Sequence, residues 1–446
     1  MGAGFVSLQR LGDFERGAVE FIATDLLLNV FYLVACFLSL RYKLNNSGSR
    51  SRLALIWGAA LTFRLLLVGM SPNLSEDLYR YRWQGRVQAA GGNPYGAIPE
   101  EPRWAALEDE TWDKVNRKDL PSVYGPALEL VHAGWQRTAE AATDDPFLQA
   151  WSYKLPFALV ELLAAYLLMR LLVAWGRPPE QIVIWLWSPL VCIEFWAQGH
   201  NDTLAVAAVV GALLAARRNR WPIAFAALSF AVLTKFWPAV LFPFFLLQSD
   251  DGGRWRFRAK DAWTALPVAA LLVSPYWREL ANVSGMLEGF VGGWRNNDSL
   301  YGLIYAWAGD DFALGTVWTS RLLAISLVAL WSLRLPLESS ARWAIVLLLF
   351  FSANCFPWYL SWLLPFLTLA PNAALLLWTA LAPLAYHILI EYGILGVWQD
   401  SDEIRRLEYG PVFALLAAQA LLRSPARPIG LRLLRRLGVL RARELP

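Results

Sequence analysis

The chain has 446 residues, of which 57% are hydrophobic and only 17% are charged. Soluble domains carry roughly 25% charged residues, so this composition excludes an ordinary water-soluble protein. A net charge of +4 gives no basis for nucleic-acid binding. The three cysteines, Cys36, Cys192 and Cys355, lie in or beside apolar segments. Their odd number and wide spacing predict neither a disulfide framework nor a metal site.

Apolar segments recur along the whole chain, and several approach the roughly 20 residues that a helix needs to cross a bilayer. We predict that they are helices, because lipid cannot satisfy the open backbone groups of other structures. The segments cover residues 18–41, 53–70, 153–175, 181–198, 202–217, 222–234, 237–248, 262–276, 314–334, 343–354, 357–371, 373–391 and 410–424. The sequence therefore predicts one all-α polytopic membrane domain over residues 1–446, with thirteen spans and with eleven or twelve as alternatives.

Basic residues cluster in alternate connections between the apolar segments. They occupy residues 41–52, 217–220 and 254–260 and the tail 423–446. The positive-inside rule places such loops in the cytoplasm, and a single orientation, with the N-terminus outside, satisfies all of them. We therefore expect a multi-pass protein of the inner (cytoplasmic) membrane whose basic C-terminal tail is cytoplasmic.

The long hydrophilic segments then lie on the outer face. The largest covers residues 71–152, the second 277–313 and the third 392–409. Within the first, residues 124–135 form an apolar helix candidate, which we predict to lie along the membrane surface because a span there would reverse the charge rule downstream. The chemistry is therefore expected on the outer face, beneath a cap made from these loops.

Lys235 separates two apolar segments of about a dozen residues, 222–234 and 237–248. Each would be about 18 Å long at about 1.5 Å per residue, which is too short to cross the bilayer alone. We expect a sunken hairpin that brings Lys235 to the outer side inside the protein. An ammonium group near membrane depth is costly unless it meets an anion. The alternatives are a side chain that reaches the interface and a pair with Glu194.

Two acids and two arginines stand within seven residues at the start of the first outer loop: Glu76, Asp77, Arg80 and Arg82. One interpretation is a helix start at the membrane interface, with Ser75 as N-cap and the acids favoured by the helix dipole. The other is a carboxylate that deprotonates an acceptor hydroxyl, with neighbouring cations that hold an anionic donor. The residues alone leave both interpretations open.

The stretch Ser75–Tyr95 opens an ordered series of short motifs. The others are Ser122-Val123-Tyr124-Gly125-Pro126, Gly199-His200-Asn201-Asp202, Lys235-Phe236-Trp237-Pro238, Trp294-Arg295-Asn296-Asn297 and Pro357-Trp358-Tyr359-Leu360. The series resembles the GT-C superfamily, specifically the bacterial polyprenyl-phosphate-mannose-dependent mannosyltransferases near glycosyltransferase family 87. Each motif is weak alone, but their order over roughly residues 53–370 is fairly specific.

The resemblance implies a GT-C-like bundle of about 11–13 transmembrane helices with an outer cap of loops and interfacial helices. It implies an enzyme that transfers a hexose, mannose by resemblance, from a polyprenyl-phosphate-linked donor to a glycan, glycolipid or protein acceptor. It also implies a base in the first outer loop. Asp77, four residues before Tyr81, matches the Asp-Glu-x-x-Tyr pattern of related enzymes. Leu78 departs from that pattern, so Glu76 stays open as the base or as a second carboxylate.

The same resemblance assigns roles to the other motif residues. The leaving phosphate needs cations, and Lys235 is the first candidate, followed by Arg80, Arg82 and Arg295, for which simple headgroup contact is the alternative. One base opposite the departing phosphate predicts inversion at the anomeric carbon. Residues expected to contact the sugar or the acceptor are Tyr81, Tyr124, His200, Asn201, Asp202 and Asn296. For Asn201 and Asp202, capping of the following helix is the alternative.

No cofactor is expected to be required, although Glu76 and Asp77 could hold a divalent cation loosely. Three further ionisable residues, Arg64, Glu161 and Glu194, lie in apolar segments and should face the interior of the bundle, where pairing among them is expected. The expected partners are membrane lipids, the lipid-linked donor and the acceptor.

Two other functions stay open. A flippase or transporter of a lipid-linked glycan would also need many helices and basic residues. Transporters often show inverted repeats and broken helices at the midplane, whereas the polar residues here concentrate on one predicted face. An oligosaccharide ligase or polymerase would also use a polyprenyl donor. Such an enzyme is expected to rely on Arg and His in loops late in the chain, whereas the predicted outer acids come early.

Overall fold

The computed structural model describes residues 1–14, 16–41, 49–249, 254–279 and 294–423. This part of the chain is mainly helical and has almost no strand, which confirms the predicted all-α class. Two short strands, β1 (Leu247–Ser249) and β2 (Trp255–Phe257), pair antiparallel. The middle of the predicted second outer loop and nearly all of the predicted basic tail lie outside the described residues.

The α-helices range from four residues to 24 residues. The α-helices are α1 (Gly2–Leu11), α2 (Ala18–Arg41), α3 (Ser49–Leu67), α4 (Asp77–Ala89), α5 (Pro126–Ala142), α6 (Pro146–Ser152), α7 (Lys154–Ala174), α8 (Val183–Leu186), α9 (Pro189–Cys192), α10 (Asp202–Arg217), α11 (Trp221–Val232), α12 (Phe242–Leu246), α13 (Ala259–Ala262), α14 (Ala265–Val273), α15 (Leu300–Trp307), α16 (Phe312–Ser332), α17 (Leu337–Phe350), α18 (Leu364–Leu369), α19 (Ala373–Leu381), α20 (Ile388–Leu395) and α21 (Asp402–Arg423). Short 3-10 helices cover Pro102–Leu107, Trp112–Lys114, Pro179–Ile182, Trp237–Leu241, Pro357–Trp362 and Ala382–His387, and a π-helix covers Ile193–Ala197.

Four helical stretches within the described ranges are long and apolar enough to cross a bilayer: Ala18–Arg41, Pro146–Ala174, Phe312–Ser332 and Ala373–Tyr392. They agree with a polytopic membrane protein. The number of eleven to thirteen spans stays a prediction. Most of the other apolar segments are built from helices shorter than a bilayer is thick.

The predicted span 181–198 shows why the helices are shorter than the apolar pattern. The chain there runs through α8, a break at Ser188, α9 and the π-helix. Pro189, the first residue of α9, has no N–H group to continue a preceding helix. Every residue from 188 to 203 is buried. The apolar run therefore reflects burial inside the bundle rather than one lipid-facing helix.

The segments on either side of Lys235 are short, as predicted. The helix α11 has twelve residues. The segment after Lys235 forms the 3-10 helix Trp237–Leu241, which leads directly into α12. Lys235 thus lies at the tip of a hairpin of two short helical arms, and its side chain is 14% exposed.

A fully buried ion pair holds the centre of the bundle together. Arg64 on α3 donates from Nε and Nη2 to the two carboxylate oxygens of Glu161 on α7, at 2.8 and 2.7 Å. The indole nitrogens of Trp185 and Trp196 donate to the same carboxylate at 2.6 and 3.0 Å. This confirms that Arg64 and Glu161 face the interior and pair.

The cap is formed mainly by residues 71–152. It is built on α4 and α5, which pack against each other. The predicted helix 124–135 is present as α5, but it buries Glu129, His132 and Gln136. Its polar side is therefore enclosed by the cap. At Gly85 on α4, an added Cβ would lie 2.8 Å from the carbonyl oxygen of His132, so glycine permits this close crossing.

The start of α5 rests directly on the end of α11. The amide of Gly125 donates to the carbonyl of Thr234 at 3.1 Å, and that of Ala127 donates to the carbonyl of Leu233 at 2.9 Å. A Cβ at Gly125 would lie 2.1 Å from the Leu233 oxygen, so a larger residue would push the cap away. This contact joins the predicted first outer loop to the hairpin that carries Lys235.

Candidate active site

A cavity of about 340 Å³ lies where the cap meets the helix ends. It brings together Glu76, Asp77, Tyr124 and Lys235, which come from three separate motifs of the sequence. Its full lining in the described chain is Asn73, Leu74, Ser75, Glu76, Asp77, Asn116, Arg117, Val123, Tyr124, Lys235, Trp294, Asn354, Phe356, Trp358, Tyr359, Leu389, Tyr392 and Trp398.

Asp77 is the first residue of α4, and its carboxylate is held by two donors. Asn116 donates to Oδ1 at 2.9 Å, and the Tyr81 hydroxyl donates to Oδ2 at 3.3 Å. The positive end of the helix dipole favours a negative charge at this position. The side chain is 20% exposed, so it is fixed in direction but still open to the cavity.

Glu76 and Ser75 precede the helix. Glu76 occupies the N-cap position, and the Oγ of Ser75 accepts a hydrogen bond from the Asp77 amide at 3.2 Å. Ser75 was predicted as the N-cap, but the helix begins one residue later than that prediction requires. Both acids border the cavity. The helix start and the candidate base, the two interpretations of this stretch, are therefore formed by the same residues.

Lys235 is paired with Asp202, and the expected alternative of a pair with Glu194 is wrong. Its ammonium lies 2.6 Å from Asp202 Oδ2 and 5.7 Å from the ring centre of Tyr124. The indole of Trp362 donates to the other oxygen of Asp202 at 2.6 Å. Asp202 is fully buried, and both of its oxygens are occupied, so it orients Lys235 and does not face the cavity.

Arg80 and Arg82 lie inside the cap, away from the described lining of the cavity. Arg80 donates to the backbone carbonyls of Asn116, Arg117 and Leu120 at 2.5 to 3.2 Å. Burial lowers the pKa of its guanidinium from its ordinary value to about 10. Arg80 therefore shapes the loop that carries Asn116 and Arg117.

Arg82 is engaged within the cap in the same way. It bonds Asp109 at 2.8 Å, Thr111 at 3.0 Å and Gln149 at 2.9 and 3.0 Å. These contacts occupy its guanidinium with groups of the protein. The geometry gives neither Arg80 nor Arg82 the access to a donor phosphate that the motif suggested.

Arg295 and Asn296 are also separated from the cavity, although they follow Trp294, which borders it. Arg295 bonds Asp298 at 2.6 Å, stacks over Tyr305 at 4.1 Å and faces a second cavity of about 460 Å³. The backbone of Asn296 pairs with residues 353 and 355. Asn296 thus fixes the wall of the cavity, and its side chain is not part of the described lining.

Arg117 and Asn116 border the cavity but were not predicted. Arg117 has a positive φ of 44°, pairs with Asp119 at 3.1 Å and lies 5.3 Å from the ring centre of Trp294. The side chain of Asn116 reaches Asp77 from 39 residues away. No motif or periodicity marks either residue, and only their location in the first outer loop was a signal.

Aromatic side chains from the C-terminal half form another part of the lining, the aromatic wall. They are Trp294, Phe356, Trp358, Tyr359, Tyr392 and Trp398. Phe356 and Trp358 stack with ring centres 4.6 Å apart and planes 8° apart. Such rings offer broad apolar faces with few polar atoms. The lining of the cavity thus combines charged and aromatic side chains.

The Gly-His-Asn-Asp motif lies directly behind Asp77. His200 stacks on Trp358 with centres 4.0 Å apart, and its Nε2 lies 4.0 Å from Asp77 Oδ2. Asn201 precedes α10, but its side chain makes no capping hydrogen bond and has no partner among the described residues. Capping by Asn201 is therefore wrong. Tyr81, which is fully buried, contacts Asp77 and is not part of the lining.

No group of three or more His, Cys, Asp and Glu side chains that could hold a metal ion occurs in the described part of the chain. Residues 6–249, more than half of the chain, match the family model described as alpha-(1->6)-mannopyranosyltransferase, N-terminal domain. No curated protein and no solved structure matches the chain. The matched range includes Glu76, Asp77, Tyr124 and Lys235 but not the aromatic wall.

Proposed function

We propose, because this chain belongs to the alpha-(1->6)-mannopyranosyltransferase family, that its cavity binds the mannosyl group of a polyprenyl-phosphate donor on the outer face of the membrane. The family agrees with the resemblance of the motifs to mannosyltransferases and makes the protein a membrane-bound glycosyltransferase. The observation that carries the proposal is that one cavity has the carboxylate of Asp77 and the ammonium of Lys235 on its lining.

Asp77 is the base of the proposed reaction. The acceptor oxygen bonds the anomeric carbon as Asp77 takes the hydroxyl proton, and the bond from that carbon to the phosphate oxygen breaks with its electron pair on the phosphate. Asn116 and Tyr81 hold the carboxylate in direction, which keeps the reorganisation during proton transfer small. Glu76 borders the same space and is the alternative base.

Lys235 stabilises the phosphate as it gains charge. An ammonium group has three N–H donors, and the carboxylate of Asp202 lies 2.6 Å from the nitrogen on one side. The remaining donors are available to a phosphate oxygen on the cavity side. Arg117 is a second cation on this lining. Stabilising charge that develops in the transition state accelerates the chemical step.

The acceptor is proposed to be a glycan that presents a primary mannose hydroxyl. The family description names an α-(1->6) linkage. Because one displacement inverts the anomeric carbon, an α product requires a β-linked donor. The aromatic wall offers Trp358 and Tyr359 as flat surfaces for the sugar rings. The proposed chemistry requires no metal ion.

A transfer assay with purified protein tests the reaction. Labelled β-linked polyprenyl phosphate mannose is supplied with mannose-terminated glycans, and the product is digested with an α-specific mannosidase. We expect covalent transfer and complete release of the label. Movement of lipid-linked sugar across a vesicle without transfer would favour a flippase, and a digestion-resistant β product would contradict the inverting mechanism.

The proposed orientation has its own test. Glu110 is exposed in the first outer loop, and Arg218 is exposed in a basic connection. The cysteines of the chain are buried. An impermeant thiol reagent applied to intact cells is expected to label a Glu110→Cys variant and not an Arg218→Cys variant. The reverse labelling pattern would place the cavity on the cytoplasmic side.

A further inference from the structure

Three neighbouring side chains, Asp77, His200 and Glu194, follow one another from the cavity into the bundle. Asp77 Oδ2 lies 4.0 Å from His200 Nε2, and His200 Nδ1 lies 3.1 Å from Glu194 Oε2. The hydroxyl of Tyr386 donates to the other oxygen of Glu194 at 2.7 Å. The base of the proposed reaction therefore lies beside a histidine that has a second carboxylate on its other side.

The hydrogen-bond partners determine the tautomer of His200. Its Nδ1 donates to the Glu194 backbone oxygen at 3.3 Å, and Glu194 Oε2, which has no hydrogen-bond partner among the described residues, lies 3.1 Å from the same nitrogen. Nδ1 therefore carries a hydrogen, and the neutral ring has its lone pair on Nε2. His200 is 1% exposed, and Nε2 has no hydrogen-bond partner among the described residues. Buried polar atoms without partners are rare, and such an atom needs an explanation.

The group that Nε2 faces supplies that explanation. A lone pair and the carboxylate oxygen of Asp77 repel each other unless one proton lies between them. With no proton there, a separation of 4.0 Å is expected. With a proton on Asp77 Oδ2, the two atoms become donor and acceptor. Such pairs close to hydrogen-bond distance when the proton is present, and apo distances are often longer.

We propose that His200 accepts, through Nε2, the proton that Asp77 takes from the acceptor hydroxyl. This inference rests on the proposed function. The first step leaves Asp77 protonated and the phosphate with the electron pair of the broken bond. In the second step the O–H bond of Asp77 breaks, an N–H bond forms at His200, and Asp77 is again a carboxylate. The proton later returns through Asp77 to water.

The groups that face His200 are carboxylates and an aromatic ring. Glu194 supplies a carboxylate to Nδ1, and the face of Trp358, 4.0 Å away, attracts a cation. Asp77 faces Nε2, and Asp25 on α2 interacts electrostatically with Glu194 from behind. The nearby ammonium of Lys154 is turned away, toward the carbonyls of Val68 and Met70.

The two carboxylates next to His200 along the chain each have a hydrogen-bond donor on another element. Asp202, two residues beyond His200, is held by Lys235 and Trp362. Tyr386 keeps Glu194 in place by its hydrogen bond. Moving the proton to His200 removes it from the space between acceptor and phosphate. Asp77 is thereby ready for the next acceptor while the lipid phosphate is still leaving.

The test is the pH profile of transfer by His200→Gln, compared with the wild type. Glutamine keeps a hydrogen-bonding side chain but cannot hold the proton. We expect the rate at saturating substrates to fall on the order of 100-fold with little change in KM for the donor. The acid limb of the profile should move to lower pH, because the remaining base is a carboxyl group, which ordinarily titrates below an imidazole.

The other two histidines of the chain provide matched controls. His132 also lies beside a buried carboxylate, and His387 lies near Asp400. Neither faces Asp77, so His132→Gln and His387→Gln should leave the acid limb where it is. Glu194→Gln removes the charge behind the imidazole and should shift the limb in the same direction as His200→Gln.

The outcomes separate this inference from the proposed function. If His200→Gln is slower but its acid limb is unchanged, the histidine has only a structural role. That result would overturn the proposed proton transfer from Asp77 to His200. A fall in the unfolding temperature shows whether His200→Gln fails to fold. In that case Glu194→Gln is the test, and an unshifted acid limb in this variant would overturn the proposed proton transfer. Full activity in Asp77→Asn would rule out Asp77 as the base and would contradict the proposed function, whatever the results with the histidine variants.

Discussion

Two buried ion pairs in this protein have the same ingredients but different surroundings. Arg64 and Glu161 lie at the centre of the bundle, and both side chains are 0% exposed. Lys235 and Asp202 lie at the edge of the cavity, where the carboxylate is 0% exposed and the ammonium is 14% exposed. One pair is closed on all sides, and the other leaves its cation open on one side.

The two pairs differ in how many N–H groups of the cation remain available to a ligand. Arg64 uses Nε, Nη1 and Nη2 on Glu161 and on the carbonyls of Ala60 and Leu186. Lys235 meets one carboxylate oxygen, at 2.6 Å, and borders the cavity. A cation whose donors are all used serves the fold, whereas a cation with donors toward a cavity can serve a ligand.

Breaking the closed pair should give the largest loss of stability. Arg64→Met leaves the Glu161 carboxylate buried without its cation, and such single removals cost about 3–5 kcal/mol. The double variant Arg64→Met, Glu161→Leu should recover most of that loss. Thermal unfolding in detergent measures both. A single variant as stable as the wild type would show that the pair does not hold the bundle.

Neutralising the open pair should instead abolish most of the activity. In the double variant Lys235→Met, Asp202→Asn no buried charge is left alone, so folding should be nearly intact. Transfer at saturating acceptor should fall on the order of 100-fold, because a charge-stabilising donor is lost. The double variant at the closed pair is the matched control and should keep near-wild-type turnover per folded molecule. Similar turnover in both doubles would erase the distinction.

Arg117 offers a smaller version of the same contrast. It borders the cavity but shares its guanidinium with Asp119, so Arg117→Met should slow transfer roughly 10-fold. Arg103, which pairs with Glu101 on the surface, is the control, and Arg103→Met should transfer at the wild-type rate. Equal rates for the two variants would exclude Arg117 from phosphate binding.

The smallest effect is expected for Asp109→Asn, which changes how the stability of the cap depends on acid pH. Burial raises the pKa of Asp109, but hydrogen bonds from Thr111 and the charge of Arg82 outweigh it, so the pKa is lowered overall. A lowered carboxyl pKa contributes stability above its unfolded value, about 3.9, and loses it as the pH falls through the folded value. Acid unfolding should therefore be less steep in Asp109→Asn than in the wild type. Parallel curves would contradict this.

Composition and ordered motifs predicted the helical membrane class and the family, because apolar runs and short motifs are local features. They also placed Asp77, Glu76, Tyr124 and Lys235 in one site. They failed where the determining contacts are distant in sequence. Examples are Asn116 on Asp77 and Asp202 on Lys235, which are 39 and 33 residues apart.

Prolines divide several of the predicted apolar segments into shorter helices, which the apolar pattern alone does not reveal. Pro189 divides one predicted span, and Pro238 and Pro243 lie within another. The directions of the arginines in the predicted first outer loop could not be predicted for a related reason. Motif position places Arg80 and Arg82 beside Asp77, whereas their direction along α4 turns them into the cap.

The account depends most on Asp77 as the base. The direct measurement is the turnover of Asp77→Asn beside Glu76→Gln, in one preparation with labelled polyprenyl phosphate mannose and normalised to folded protein. We predict a loss of about 10² to 10⁴-fold for Asp77→Asn and a much smaller loss for Glu76→Gln. Wild-type turnover in Asp77→Asn would contradict the account.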